Sequence, residues 1–382
     1  MAEKSRSSFW RLPHQGTRIV ELDFVRGIAI LLVVGAHTLT VKSSQSWPAA
    51  VDYVLKHIGG SGVDLFFVLS GFLVGGLLIR EYKQTQQIDA GRFILRRGFK
   101  IWPAYYAYLL LEVLTRSHPL HSFLWQGALH LQNYTGTTLL STWSLSVEEH
   151  FYLLLAFLLA WAVRRHCTPQ NLVRTLLLIL AAVPLLRTLE YVLWGARAAT
   201  HHTECRIDQL TAGVLLALLF HFYPHIFQQL AKPVWALLPL LALPVGWSLL
   251  VESPALLDTL GIFLTEVGAA ALLLLVYAHS ARLRTLRVYR WIALVGVYSY
   301  GIYLFHTSCR SLCLKLTLHL PALLQPGFLL AAQYGVAILT GILATHLVEW
   351  PALRLRNRLF PPRADSPQPE QSPAAVLSSA QG

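Results

Sequence analysis

The strongest constraint on this chain is the repeated return of apolar runs long enough to cross a lipid bilayer. About ten can be read, roughly at 19–41, 60–80, 101–115, 143–163, 172–194, 206–223, 232–251, 257–278, 292–313 and 328–350, the third being the shortest. A hydrocarbon core of about 30 Å needs about 20 such residues as a helix. Lipid offers no partner for backbone N–H and C=O groups, so each run must close its own hydrogen bonds as an α-helix. With 55% hydrophobic and 13% charged residues, a chain of 382 residues lacks the polar surface of a soluble protein. The expected fold class is all-α, a polytopic membrane bundle of about ten transmembrane helices.

The net charge of +12 could suggest nucleic acid, but its distribution does not. With the N-terminus placed inside, 22 of the 31 Lys and Arg fall on inner segments and eight on outer ones, Arg26 completing the total. That is the positive-inside pattern, and it predicts both termini in the cytoplasm. The charge is therefore topological, and no nucleic-acid motif accompanies it. The expected location is a bacterial inner membrane, entered as a multi-pass protein. Residues 1–18 read as a cytoplasmic N-terminal segment, 19–360 as the membrane domain, and 361–382, rich in Pro, Ser, Gln and Ala, as a disordered cytoplasmic tail. The first run is too long, and its flank too polar, for a cleavable signal peptide. No internal repeat, second folded domain or extramembrane esterase-like domain is expected, and no feature fixes an oligomeric state.

The four cysteines, Cys167, Cys205, Cys309 and Cys313, make no framework. Cys309 and Cys313 sit one helical turn apart, which suits packing; a Cys205–Cys309 bridge is the alternative. The longest outer loop, 116–142, carries His118, His121, His130, Trp125, Asn133 and Tyr134. It reads either as a cover for an outward-facing site or as an interfacial segment with aromatic anchors. The HPLH at 118–121 has no partner ligands nearby, and no metal is assigned.

Ionisable groups at membrane depth are costly and mark function. In RIVELDFVRGIAILLVVGAHT, Arg26 and His37 are eleven residues apart, three helical turns plus about 20°. They share one face, about 16 Å apart along the axis. Snorkelling at the interface is the alternative for Arg26, and a satisfied structural histidine is the alternative for His37. GVDLFF places Asp64 near the outer end of the next run, among glycines that permit close helix approach. RFILRRGFKIWPAYY brings Arg96, Arg97 and Lys100 just before the third run. TWSLSVEEHFYL sets Glu148 and Glu149 near the outer start of the fourth. ECRIDQLTAG opens the sixth with Arg206 and Asp208, and GVYSYGIYLFH places Tyr300, Tyr303 and His306 in the ninth.

These motifs, together with VEWPALRLR, occur in the order in which they occur in the acyltransferase-3 family of integral-membrane O-acyltransferases. The chain resembles that family from residue 22 to about 356. The resemblance implies a ten-helix bundle that moves an acyl group, usually acetyl from acetyl-CoA, to a hydroxyl, most often of a carbohydrate. It implies that Arg26 and His37 form the essential pair of the first helix, that Arg96 and Arg97 form the basic motif, and that Glu148 and Glu149 form the glutamate motif. Two departures stand out. Lys100 replaces a usual arginine and loses the bidentate phosphate fork, and His150 stands where glutamine is common.

Sorted by depth, Arg26, Arg96, Arg97 and Lys100 form a cationic inner layer suited to the phosphates of coenzyme A. His37, Asp64, Glu148, Glu149, Arg206, Asp208 and His306 form a middle-to-outer layer suited to proton transfer and sugar binding. His37 is the expected general base, with Glu148 or Glu149 orienting its ring; an acetyl-histidine relay stands beside direct transfer. Arg206 or Tyr303 is the candidate oxyanion donor. Arg206 and Asp208 also have a structural reading, Asp208 complementing a helix N-terminus, and Glu349 is expected to pair with a loop arginine. The expected acceptor is a cell-surface polysaccharide, lipopolysaccharide or glycolipid, with a secreted small molecule such as a macrolide second. The rival class is a proton-coupled transporter or flippase, against which stands the lack of an inverted repeat or paired broken helices.

Overall fold

The computed structural model describes residues 19–38, 46–115, 125–135 and 140–361. The segment 1–18, the tail from 362, and His118 and His121 of the 116–142 loop lie outside them. The main helices are α1 (Val20–Ala36), α2 (Ser46–Gly59), α3 (Ser61–Thr85), α4 (Ala90–Thr115), α5 (Trp143–Arg164), α6 (Pro169–Trp194), α7 (Ile207–Phe222) and α8 (Pro224–Ala231). They continue as α9 (Val234–Leu250), α10 (Ile262–Ala278), α11 (Arg287–Val297), α12 (Ser299–Phe305), α13 (Arg310–Leu318), α14 (Gln325–Ala344) and α15 (Trp350–Leu359). Among the described residues there is no strand. The all-helical expectation holds, and the protein is a multi-pass membrane bundle.

Five helices are long and apolar enough to cross a bilayer: Trp47–Thr85, Trp143–Arg164, Pro169–Trp194, Pro254–Ala278 and Gln325–Leu359. The number rises to seven if each of two bent pairs counts as one span. The pairs are α7 with α8, bent by 119°, and α11 with α12, bent by 61°. The other expected runs correspond to helices that miss in length or polarity. Helices α1 and α9 have 17 residues each. Helix α4 begins eleven residues before its apolar run, so Arg96, Arg97 and Lys100 lie within the helix rather than ahead of it. Helix α2, whose polar face hides it from a hydropathy reading, has no counterpart among the expected runs.

Helices α1 and α3 are central, each supplying two of the three apolar clusters. Lipid tails are as apolar as leucine, so close packing rather than water exclusion must hold such helices together. Two crossings achieve it with glycine. A Cβ on Gly71 of α3 would sit 1.9 Å from the Leu210 carbonyl oxygen of α7, and one on Gly213 of α7 would sit 2.0 Å from that of Val68. Likewise, a Cβ on Gly27 of α1 would lie 2.0 Å from the Ile292 carbonyl oxygen of α11. Helix α6, by contrast, faces outward with Leu178, Leu185 and Val192. All four cysteines are free, so the Cys205–Cys309 bridge is not made.

Gly71→Val should therefore push α3 and α7 apart. The expected cost is about 1–3 kcal/mol or more from overpacking, read as a lower thermal midpoint in detergent. Gly60→Ala, at a site with nothing within 4 Å, should leave that midpoint unchanged or raise it. Equal midpoints for the two variants would contradict the close-contact account.

Candidate active site

One cavity of about 760 Å³ runs beside α3, lined on that helix from Val63 through Ser70 to Arg80. The seventeen steps from Val63 to Arg80 correspond to about 26 Å at 1.5 Å per residue. Its Arg80 end is cationic: Arg80, Arg284, Arg354 and Arg356 all line it. Further in come Arg26, Arg97, Lys100, Asp23 and Glu349, and towards Val63 come Ser144, Glu148, Tyr300 and Tyr303. Such a volume suits a bound small molecule, and its charge suits a polyanion at one end.

Helices α1, α3, α4 and α5 supply the central polar side chains of the wall. Arg26 on α1 is held by Asp23, three residues earlier, at 2.8 Å. Helix α4 brings Arg97 and Lys100 to the same space because positions three apart share a face. Arg97 donates to the Tyr152 hydroxyl at 2.7 Å, with its guanidinium 4.4 Å from that ring's centre. Tyr152 in turn donates to Glu148 at 2.7 Å, and Ser70 donates to the other Glu148 oxygen at 2.8 Å. Glu148 and Tyr152 are four apart on α5, one turn on the same face. Charge is thus passed from guanidinium to carboxylate through a phenol. Glu149 points elsewhere: it accepts from Trp102 Nε1 at 3.1 Å, and its other oxygen is buried with no partner among the described residues.

His37 is not among the cavity lining. Helix α1 ends at Ala36, so His37 caps it instead of lying within it. Its Nδ1 faces the Val33 carbonyl oxygen at 2.9 Å. A carbonyl only accepts, so Nδ1 carries the proton and Nε2 keeps its lone pair. The expected carboxylate support is not made: neither Glu148 nor Glu149 bonds this ring, and the backbone orients it instead. The His37 ring meets the buried His306 ring edge-on at 4.9 Å, and His306 lies 5.8 Å from Tyr303. The His306 Nδ1 is set by the Tyr303 carbonyl oxygen at 2.7 Å, and its Nε2 has no partner among the described residues. Tyr303 lines the cavity, donates to the Ser141 carbonyl at 2.6 Å and shares a 2.5 Å hydrogen bond with Ser144. Tyr303 and His306 therefore stand between the cavity end and His37.

Asp64, Arg206, Asp208 and Arg96 fall outside the cavity. Asp64 accepts from Arg206 and, at 2.8 Å, from Gln209 Nε2. The Arg206 guanidinium also lies 5.5 Å from the Phe67 ring and 5.3 Å from Trp143. Asp208 pairs with Arg187, both wholly buried, and Arg187 also donates to the Cys205 carbonyl at 2.8 Å. These pairs pin α7 to α3 and α6, the structural reading of Arg206 and Asp208; Asp208 also accepts the Gln209 N–H at 3.0 Å. Arg96 donates to the Phe360 carbonyl, tying α4 to the end of α15. Glu349 lies in the cavity wall, where Thr345 donates to it at 3.4 Å. In the 125–135 segment, burial pushes the His130 imidazole down to about 4, and near α7 burial with Arg206 does the same to His201. Both rings are neutral at physiological pH.

Sequence reasoning passed over Ser70, Tyr152, Arg80, Arg284, Arg354 and Arg356. The arginines had been counted as loop charges. Tyr152 carried a usable signal, one turn beyond Glu148.

The family described as "Acyltransferase domain" matches residues 19–347. An O-acetyltransferase OatA of Staphylococcus aureus is 27% identical over 201 residues, 45% of this chain and 33% of that protein. The peptidoglycan O-acetyltransferase OatA of Listeria monocytogenes is 23% identical over 316 residues, 75% of this chain and 49% of the other. The putative peptidoglycan O-acetyltransferase YrhL of Bacillus subtilis is 24% identical over 314 residues, 75% and 47% respectively. The chain thus spans about half or less of the length of these relatives. No solved structure matches.

Removing one partner of a fully buried ion pair strands the other, at about 3–5 kcal/mol. Arg187→Ala should accordingly abolish or severely reduce folded protein. Arg96→Ala, which loses a bond at the half-buried end of α15, should stay folded with a small drop in thermal midpoint. Survival of Arg187→Ala with a wild-type midpoint would refute the structural assignment.

Proposed function

The chain belongs to the acyltransferase domain family, and from that premise we propose a membrane O-acetyltransferase that moves acetyl from acetyl-CoA to a hydroxyl of a cell-surface carbohydrate. The carrying observation is the cavity graded from four arginines at one end to Ser70, Glu148 and Tyr303 at the other. The positive-inside pattern supports setting the arginine end in the cytoplasm of a bacterial inner membrane, with about ten spans and both termini inside. Relatives named for peptidoglycan support a glycan acceptor.

In this reading Arg26, Arg97, Lys100 and the arginines of the mouth hold the phosphates of the donor, and the narrow acyl-bearing arm lies along α3. Arg96, bound to the Phe360 carbonyl, shapes that mouth. The acceptor approaches from the opposite side, near Asp64. His37 Nε2 takes the hydroxyl proton while the Val33 carbonyl steadies Nδ1–H. The hydroxyl oxygen bonds to the thioester carbon, the C–S bond breaks, and the departing thiolate receives the proton from the imidazolium. As the Tyr303 side chain moves, its hydroxyl proton leaves the Ser141 carbonyl and is donated to the developing oxyanion. Transfer requires the Tyr303–His306 layer to turn aside so that the thioester reaches His37.

The test uses full-length protein in lipid nanodiscs with radiolabelled acetyl-CoA and a soluble peptidoglycan fragment. His37→Ala should lower transfer by about 10²-fold or more with an unchanged thermal midpoint. Arg97→Ala should raise the KM for the donor about tenfold, with a smaller effect on kcat. Full activity in His37→Ala would sink the general-base assignment, and unchanged donor KM in Arg97→Ala would sink the phosphate site.

A further inference from the structure

At the Asp64 end of α3, away from the cavity mouth, three side chains from separate local elements converge. Glu190 comes from the last turn of α6, His202 from the connection that follows, and Glu204 from the short 3-10 turn Thr203–Cys205. Their donor atoms all lie within 4.8 Å of one another. His202 Nδ1 is 3.6 Å from Glu190 Oε2 and 3.5 Å from Glu204 Oε1. We propose that Glu190, His202 and Glu204 form a divalent transition-metal site, of the zinc class, that clasps the α6–α7 connection.

Three observations carry this. First, bonds of about 2.0–2.2 Å at tetrahedral angles separate donor atoms by about 3.3–3.6 Å, the spacing seen from His202 to each carboxylate. Second, the cluster itself is net anionic. A protonated His202 would offset only one of two carboxylates, the flanking Arg187 and Arg206 are engaged by Asp208 and Asp64, and Arg197 of the same connection is exposed. A dication with a neutral imidazole offsets both. Third, Tyr134 donates to the second oxygen of Glu204 at 2.7 Å, and its ring lies 4.9 Å from that of His202. Metal-ligating carboxylates are characteristically fixed by such outer hydrogen bonds. His202 and Glu190 are about four-fifths buried while Glu204 is 39% exposed, so water can complete the coordination. The sequence held no hint of it, because Glu190 lies twelve residues from His202 and matches no ligand spacing.

The proposal is independent of the acyl-transfer reading, and its test needs no activity assay. Full-length protein, freed of any affinity tag and dialysed against zinc chloride, is analysed by inductively coupled plasma mass spectrometry and by thermal unfolding with and without chelator. The expected result is about one zinc per chain, a midpoint lowered by chelator and restored by zinc. Glu190→Gln and His202→Gln should lose the metal. Tyr134→Phe, which leaves all three ligands in place, should fold normally and bind zinc roughly tenfold more weakly. Wild-type protein without bound zinc overturns the proposal. So does undiminished zinc in Glu190→Gln, or a chelator-insensitive midpoint with Glu190→Gln merely less stable, the signature of an ion pair alone.

Discussion

Helices α3 and α7 touch backbone to backbone, and they can do so only because Gly71 and Gly213 carry no side chain. That contact sets the rest. It brings Asp64 level with Arg206 and Gln209, so a carboxylate and a guanidinium that lipid would exclude satisfy each other. It also leaves the Ser70 and Arg80 side of α3 on the cavity, which Phe220 and His221 of α7 line together with residues of α1, α4 and α5. The second glycine crossing, between α1 and α11, does the same for the opposite wall, placing Arg26 in the space and Phe24 against the Tyr289 ring at 4.2 Å.

The polar groups then divide into two populations. One, Asp64 with Arg206 and Asp208 with Arg187, is closed: each charge is met by its opposite inside the bundle, and the pairs hold helices in register. The other, Arg26, Arg97, Lys100 and the arginines at the mouth, lines a cavity whose wall holds more positive than negative charge, although Asp23 meets Arg26 and Glu21 meets Arg284. An excess of one sign facing a lined space in a low-dielectric wall strengthens attraction for a ligand of the opposite sign. The Arg97–Tyr152–Glu148–Ser70 chain ties the open population to the far end of that space, so one substitution there reaches both the mouth and the interior.

Much of this could be read from the amino-acid order. The apolar runs located nearly every main helix, since length and hydropathy are local properties, and the motif residues Arg26, Arg97, Lys100, Glu148 and Tyr303 do gather on one cavity. What was missed is non-local. Whether Asp64 faces a ligand or Arg206 depends on a helix 142 positions away. The break before α8 falls at Pro224, a signal the sequence held, whereas the bend into α12 is marked by no proline. His37 was expected on the helix face it shares with Arg26, whereas the helix stops one residue earlier and the ring turns to the Val33 carbonyl. Helix α2 escaped because its polar residues dilute its hydropathy, yet it continues almost without interruption into α3.

That near-continuity from Trp47 to Thr85 has a mechanical consequence. Thirty-nine residues make a rod of roughly 58 Å at 1.5 Å per residue, nearly twice the roughly 30 Å of hydrocarbon. Its Trp47 half packs beside the end of α1, where Gly59 meets Ala36, and is braced where the Tyr53 hydroxyl donates to the Leu249 carbonyl at the tip of α9. In the proposed reaction such a parapet would screen the His37 side of the bundle from sideways approach, so that a bulky acceptor would reach it along the rod and not across it.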